Sequence, residues 1–182
     1  TLKNSGSVVY HFHPIPSGLV SQRFHDSMTP ALVLLKRERI SHKVLEYDHD
    51  PNHPSYGMEA VEKLGLEATQ VFKTLVVQLD GGKLAVAVVP VSTTLNLKLA
   101  AKALGAKKAA MAPVADVERS SGYLLGGVSP LGQKKALMTA IDDSAATMGR
   151  IYVSAGRRGL EVALAPADLL RLTRGRFAPL SS

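Results

Sequence analysis

The chain has 182 residues, a length that fits one domain, and 46% of them are hydrophobic, so roughly two-thirds of the unfolded surface can be buried. It has no cysteine, which excludes disulfides, zinc–thiolate sites and a protein thiol nucleophile and suits a reducing, cytoplasmic setting. No apolar run approaches the ~18 residues of a membrane helix, while a formal charge of +7 and a pI of about 9.7 favour an anionic partner such as nucleic acid.

Residues 1–27 show no helical or strand period and carry a His-x-His. They are expected to be a tag-like or disordered leader, excluded from fold reasoning. The domain is expected over residues 28–182, with a net charge of +6 after Lys3, Arg23 and Asp26 are set aside. Thr29-Pro30 reads as an N-cap with Pro at the first helical position, followed by Leu32, Leu35 and Ile40 near helical spacing. "HKVLEYD" predicts a short strand, and "GMEAVEKLG" a short helix closed by Gly65. Asp80-Gly81-Gly82 separates two apolar runs and predicts a hairpin. "NLKLAAKALG" and "PVADVERSSG" predict helices, with "YLLGGVSPLGQ" irregular after them. "GRIYVSAGRRGLEVALAP" predicts a second hairpin, and "PADLLRL" a closing helix. Strands and helices do not alternate regularly. The expected fold is therefore α+β: one compact domain with a curved, largely antiparallel mixed sheet and flanking helices.

Three places could carry chemistry. Lys73 shares a strand face with Val71, Leu75, Val77 and Leu79. Either it snorkels to water from a strand end, or it is a partly desolvated amine that needs an anion or carbonyl oxygen as partner. In the second hairpin, the symmetric turn Gly156–Gly159 sets Ser154 against Glu161 and Ala155 against Leu160. Ser154 and Glu161 then form either a solvated polar face or a site for an amino group or ribose; a bulge would break this pairing. The loop Gly126–Pro130, "GGVSP", is either an ordinary loop or a close-approach loop that holds an oxyanion. "DHDPNHP" gathers Asp48, His49, Asp50 and His53, but its prolines mark a polar turn, and no metal site is expected. Lys98 and Lys102 share a helical face. With Lys134, Lys135, Arg157 and Arg158 they suit phosphate contacts, whereas 5% aromatic content does not suit a base-stacking platform.

"FKTLVV", "GYLLGGVSPLGQKK" and "IYVSAGRRGLEVALAPADL", in this order, resemble the bacterial YbaK-type Cys-tRNA(Pro) deacylases, relatives of the editing domain inserted in bacterial prolyl-tRNA synthetases. "TPALVLLKRERI", "YDHDP" and "EAVEKLG" extend the likeness from Met28 to about Leu172. The resemblance implies a domain that hydrolyses mischarged tRNA in trans without cofactor or metal. It implies Lys73 and Gly126 as catalytic residues. Tyr47, Tyr56, Thr74, Gly127, Ser129, Pro130, Ser154 and Glu161 are implied as substrate contacts, with Glu161 standing where an Asp is frequent. The implied partners are the acceptor end of tRNA(Pro) and, with it, prolyl-tRNA synthetase. The substrate's own thiol is the implied nucleophile. Two rivals remain: a non-catalytic module that binds tRNA or a synthetase, and an Ala-tRNA(Pro) deacylase that activates water.

Overall fold

The computed structural model describes residues 28–182, so the expected leader lies outside the described residues. Helix α1 (Pro30–Arg37) starts as its sequence directs, with Thr29 Oγ1 accepting a hydrogen bond from Leu32 N at 3.3 Å. The same hydroxyl donates to the carbonyl of Ala155, so the cap also ties the helix to a distant strand. Strand β1 (His42–Glu46) follows, then α2 (Tyr56–Leu64), capped by Ser55. The first hairpin is β2 (Phe72–Leu79) and β3 (Leu84–Pro90), paired in antiparallel register from Phe72↔Pro90 to Gln78↔Leu84. Helix α3 (Leu97–Ala103), strand β4 (Ala109–Met111) and helix α4 (Val114–Ser121) come next. The chain closes with β5 (Met138–Asp142), a 3-10 turn (Asp143–Thr147), β6 (Ile151–Arg157), β7 (Leu160–Leu164), α5 (Pro166–Thr173) and β8 (Arg176–Ala178).

The α+β class is as expected. Four of the six strand pairings among the described residues are antiparallel; β5 lies parallel to both β3 and β8. The strands form two sheets, in the orders β4-β2-β3-β5-β8 and β1-β7-β6, joined by an isolated bridge between Val71 and Tyr152. Tyr152 N donates to Gln70 O across this junction at 2.9 Å.

Alternation along β2 sends its side chains into two cores. Phe72 and Val76 join Val86 and Val88 against α1 and the smaller sheet, where Ile151, Val153, Leu160 and Val162 are buried. Val77 and Leu79 face the other way and pack with Ala100 of α3, Leu104 at its C-cap and Leu180. Each aliphatic side chain buried in this way contributes about 1.5–3 kcal/mol relative to an exposed one. The five-stranded sheet is thus covered on both faces, and Lys73 lies at its end on the α3 side.

Asp142 is 4% exposed and ties the last residues to the sheet. Its Oδ1 accepts from Leu180 N at 3.0 Å and Ser181 Oγ at 3.2 Å, and its Oδ2 from Ser144 Oγ at 2.6 Å. Among the described residues no helix is long and apolar enough to cross a membrane.

The second hairpin departs from the expected register. Ser154 does face Glu161, but Arg157, not Ala155, faces Leu160. Ala155 and Gly156 form a bulge, so the two-residue turn is Arg158-Gly159. The symmetric sequence Gly-Arg-Arg-Gly accommodates either register, and the bulge selects this one.

Candidate functional site

Where the two sheets meet, the end of β2 opens on a cavity of about 400 Å³. Its polar groups come from four places: Lys73 and Thr74 on β2, Tyr47 after β1, Tyr56 at the start of α2, and Ser154, Arg157 and Glu161 on the second hairpin. Val71, Leu75, Val117, Val128, Met111 and Leu125 supply apolar wall, and Gly126 completes it.

Lys73 is half-buried, and its Nζ donates to Thr93 O at 2.8 Å. Burial lowers its pKa, because a low-dielectric neighbourhood disfavours the ammonium form. One carbonyl satisfies one of the three donors of an ammonium group. The amine therefore neither snorkels free nor sits in an ion pair; it is held at the cavity wall with donor capacity left.

Glu161 is 7% exposed, so the Ser154–Glu161 side of the hairpin is not a solvated face. Burial pushes its carboxyl up to about 8, and Oε2 is buried without a partner. At neutral pH the group is thus largely a neutral carboxylic acid. Burial also raises the Tyr47 phenol, with the Glu161 carboxyl adding to the effect. Thr74 Oγ1 is likewise buried without a partner. An unsatisfied buried polar atom costs about 1–3 kcal/mol. Two such atoms lining one cavity are the arrangement expected where a ligand supplies the missing hydrogen bonds.

The Gly126-Gly127 loop is fitted against the hairpin turn. Gly126 has φ +92°, and a Cβ there would lie 2.9 Å from the Tyr56 ring and 3.0 Å from Arg158 Nε. A Cβ on Gly127 would lie 2.7 Å from Arg157 Cα. The Arg158 guanidinium stacks 3.5 Å from the Tyr56 ring centroid, at the cavity mouth. Tyr123 anchors the loop from below: it is 4% exposed and donates through its hydroxyl to Leu131 O at 2.6 Å.

The wall carrying Tyr47 and Tyr56 has its own support. Glu59 is 1% exposed; its carboxylate lies 2.9 Å from His49 Nδ1 and accepts from Asp50 N at 3.2 Å. Burial alone would raise its pKa, but the hydrogen bonds from His49 and Asp50 and the charge of Lys63 outweigh burial and lower it. Lys63 Nζ in turn donates to Asp48 O. The "DHDPNHP" turn thus ties its histidines to α2, His53 Nε2 lying 2.9 Å from Glu62, and closes on itself where Asp50 Oδ1 accepts from Asn52 N at 2.9 Å. Among the described residues no three His, Asp or Glu side chains converge as a metal site.

The structure therefore brings Lys73, Gly126, Tyr47, Tyr56, Thr74, Ser154 and Glu161 to one cavity. Gly127, Ser129 and Pro130 lie behind the wall. Ser129 is fully buried, with Oγ accepting from Leu131 N at 3.2 Å to shape the loop's exit. Of the two arginines read as phosphate contacts, Arg157 lines the cavity and Arg158 stacks on Tyr56, which lines it; Arg157 Nη2 also lies 3.8 Å from Glu46. Lys134 and Lys135 are exposed beyond α4, with backbone N–H groups donating to Ser121 and Ser120 carbonyls, away from the cavity lining. Lys98 and Lys102 line a separate groove. Sequence reasoning missed the Thr93 carbonyl, the Glu59–His49 contact and the apolar wall of Met111, Val117 and Leu125. Glu59 alone carried a signal, as an acidic residue at an inward position of an amphipathic helix.

Comparison with known proteins identifies the family of the chain. A protein of Enterococcus faecalis (strain ATCC 700802 / V583) named "Putative Cys-tRNA(Pro)/Cys-tRNA(Cys) deacylase EbsC" is 38% identical over 154 residues, covering 85% of this chain and 93% of that protein. Among solved structures, a "putative trans-editing enzyme for prolyl tRNA synthetase" superposes with a TM-score of 0.73 at 23% identity, over 84% of this chain and 95% of that one. A hypothetical protein, APE2540, superposes with a TM-score of 0.75 at 21% identity, over 85% and 100% of the two chains. These two likenesses speak to the fold. The model of the aminoacyl-tRNA editing domain matches residues 51–172, a span that contains the cavity's lysine, its glycine loop and its buried glutamate, and the chain belongs to that family.

Proposed function

We propose that residues 28–182 form an editing domain that hydrolyses Cys-tRNA(Pro) in trans, releasing cysteine and tRNA. The observation that carries this reading is the cavity of about 400 Å³, with Lys73, the Gly126 backbone and buried Glu161 on its walls. That volume suits a small ligand, here an aminoacyl group with part of its terminal ribose. The 38% identity to a protein named as a deacylase supports the same substrate class. Such an activity answers a physical problem: a synthetase site cannot strongly reject an intruder of similar size, so a second site must remove it.

The aminoacyl ester is already activated, so the protein's task is positioning and charge stabilisation. In this reading Lys73 holds a substrate oxygen from its wall position, its donors strengthened by the low local dielectric. Glu161, Thr74 and Ser154 take the amino group and neighbouring hydroxyls. The nucleophile is the substrate's thiol, of which a few per cent is thiolate at neutral pH. Its sulfur attacks the ester carbonyl, the C–O bond to the ribose breaks, and the ribose oxygen leaves as a hydroxyl carrying the proton. The four-membered thiolactone then opens with water to cysteine. The acceptor end of tRNA(Pro) is the partner at the cavity, with prolyl-tRNA synthetase supplying tRNA selection, in the cytoplasm.

The test is deacylation of Cys-, Ala- and Ser-tRNA(Pro) by the purified chain. Cys-tRNA(Pro) should be cleaved much faster than the other two. One observation favours a second reading, with water as nucleophile: a buried carboxyl titrating near 8 is a stronger base than an ordinary glutamate. Comparable rates on all three substrates, abolished by Glu161→Gln, would select that reading.

A further inference from the structure

A second groove lies between α3 and the approach to β4. Four of the eight residues lining it are lysines: Lys98 and Lys102 from the helix, Lys107 and Lys108 from the loop; small apolar residues such as Ala101 and Ala106 lie between them. All four lysines are exposed. None of the ion pairs formed among the described residues engages one of their ammonium groups. No carboxylate lines the groove.

The loop is fixed from behind. Asp80, at the tip of the first hairpin, accepts hydrogen bonds through Oδ1 from Lys107 N at 2.9 Å and Lys108 N at 3.0 Å. Asp80 N donates to Lys108 O at 3.1 Å. Asp80 is the acidic neighbour of this loop, and its Oδ1 is committed to the backbone. The lysine positions are therefore set by the loop's anchoring, while their like charges repel across the groove, Lys98 and Lys102 at i, i+4 in particular. An arrangement that costs the fold repulsion and gains it no ion pair fits a polyanion that supplies the counter-charge.

The groove and the cavity share a strand. Ala109 lines the groove and Met111 lines the cavity. At about 3.3 Å per residue, Lys108 and Met111 are ~10 Å apart along the chain. One short segment of a nucleic-acid strand can therefore reach both the groove and the cavity.

We propose that the Lys98–Lys102–Lys107–Lys108 groove binds the sugar-phosphate backbone of the RNA strand a few nucleotides back from the 3′ end that enters the cavity. This rests on the proposed RNA substrate for its orientation. It separates these four lysines, as the backbone track, from Lys134 and Lys135, which lie outside both the groove and the cavity.

The test uses uncharged tRNA first, so that it does not depend on catalysis. Binding is measured for the full chain and for the Lys98→Gln/Lys102→Gln/Lys107→Gln/Lys108→Gln variant between 50 and 200 mM salt. The variant should bind at least tenfold more weakly at low salt, and the slope of log K against log salt should flatten by about 3. Lys134→Gln/Lys135→Gln should change both far less. Unchanged affinity and slope in the groove variant would overturn the proposal, as would wild-type binding of poly-glutamate equal to that of RNA. Circular dichroism checks the fold, and surface substitutions of this kind are usually close to neutral for stability. A second arm compares kcat/KM on Cys-tRNA(Pro) with that on the cysteine ester of adenosine. The variant's loss on the tRNA should exceed its loss on the nucleoside ester by at least tenfold; equal losses would overturn the groove assignment. If the wild-type chain cleaves neither ester, the proposed function fails while the binding arm still decides the groove.

Discussion

Replacing Glu161 by Gln should change how the stability of this protein depends on pH. The carboxyl is 7% exposed, and burial raises it from 4.5 to about 8. The folded state therefore holds this proton more tightly than the unfolded chain does. Its stabilising contribution is fully present below pH 4.5 and is lost as the pH rises through about 8. At 1.36 kcal/mol per unit, the whole shift corresponds to about 5 kcal/mol, of which about 3 is already lost by pH 7. Glutamine is neutral throughout and similar in shape, so it removes this dependence while leaving the other titrating groups as they are. Urea denaturation of both proteins at half-unit intervals from pH 5 to 9 reads the effect as a difference, in which those other groups cancel. The stability of Glu161→Gln relative to wild type should climb by ~1.4 kcal/mol per pH unit up to about pH 8 and then level off. Parallel curves across this range would refute the burial argument and, with it, the neutral carboxyl at the cavity wall.

Lys73→Ala should abolish deacylation with little loss of stability, because a partly desolvated amine contributes little to the core; Lys73→Arg should also be poor, since a planar fork does not replace a compact ammonium. Near-wild-type turnover of Lys73→Ala on Cys-tRNA(Pro) would remove the lysine from the mechanism. Gly127→Ala places a methyl group 2.7 Å from Arg157 Cα and should cost roughly 1–3 kcal/mol as the hairpin turn shifts, read by thermal melting together with turnover. Asp142→Ala leaves Leu180 N, Ser181 and Ser144 without their acceptor and should destabilise by on the order of 3 kcal/mol in urea, with no direct effect on the cavity.

The first hairpin was legible because Asp80-Gly81-Gly82 sits between two alternating runs, and the same alternation exposed Lys73 as a charge on an apolar stripe. Strands β4 and β8 have three residues each, too few to show a period. β5 is buried almost throughout between parallel neighbours, so its sequence lacks the alternation of a one-sided strand. The Ser154–Glu161 pairing could be read from the turn's symmetry, but the burial of Glu161 could not. Glu161 shares its cavity with Val71 just before β2, Thr74 on β2, and Gly126 and Val128, residues distant in sequence that the fold brings together. The Glu59 contact with His49 was hidden for a similar reason: it joins an inward helical position to a turn that looks merely polar in isolation.

The bulge at Ala155-Gly156 makes segment length a control separate from composition. Core residues Val153 and Leu160 are seated on either side of it, whereas Arg158 lies in the turn beyond, reaching Tyr56 at the cavity mouth. Ala155 is itself buried and its carbonyl holds Thr29, so the length can change only at Gly156, where adding or removing one residue would re-aim the arginine while Val153, Ala155 and Leu160 keep their seats. The hairpin behaves as a fixed beam with an adjustable tip, so the entrance to the cavity can be retuned for a different ligand while the wall that carries Glu161 keeps its place.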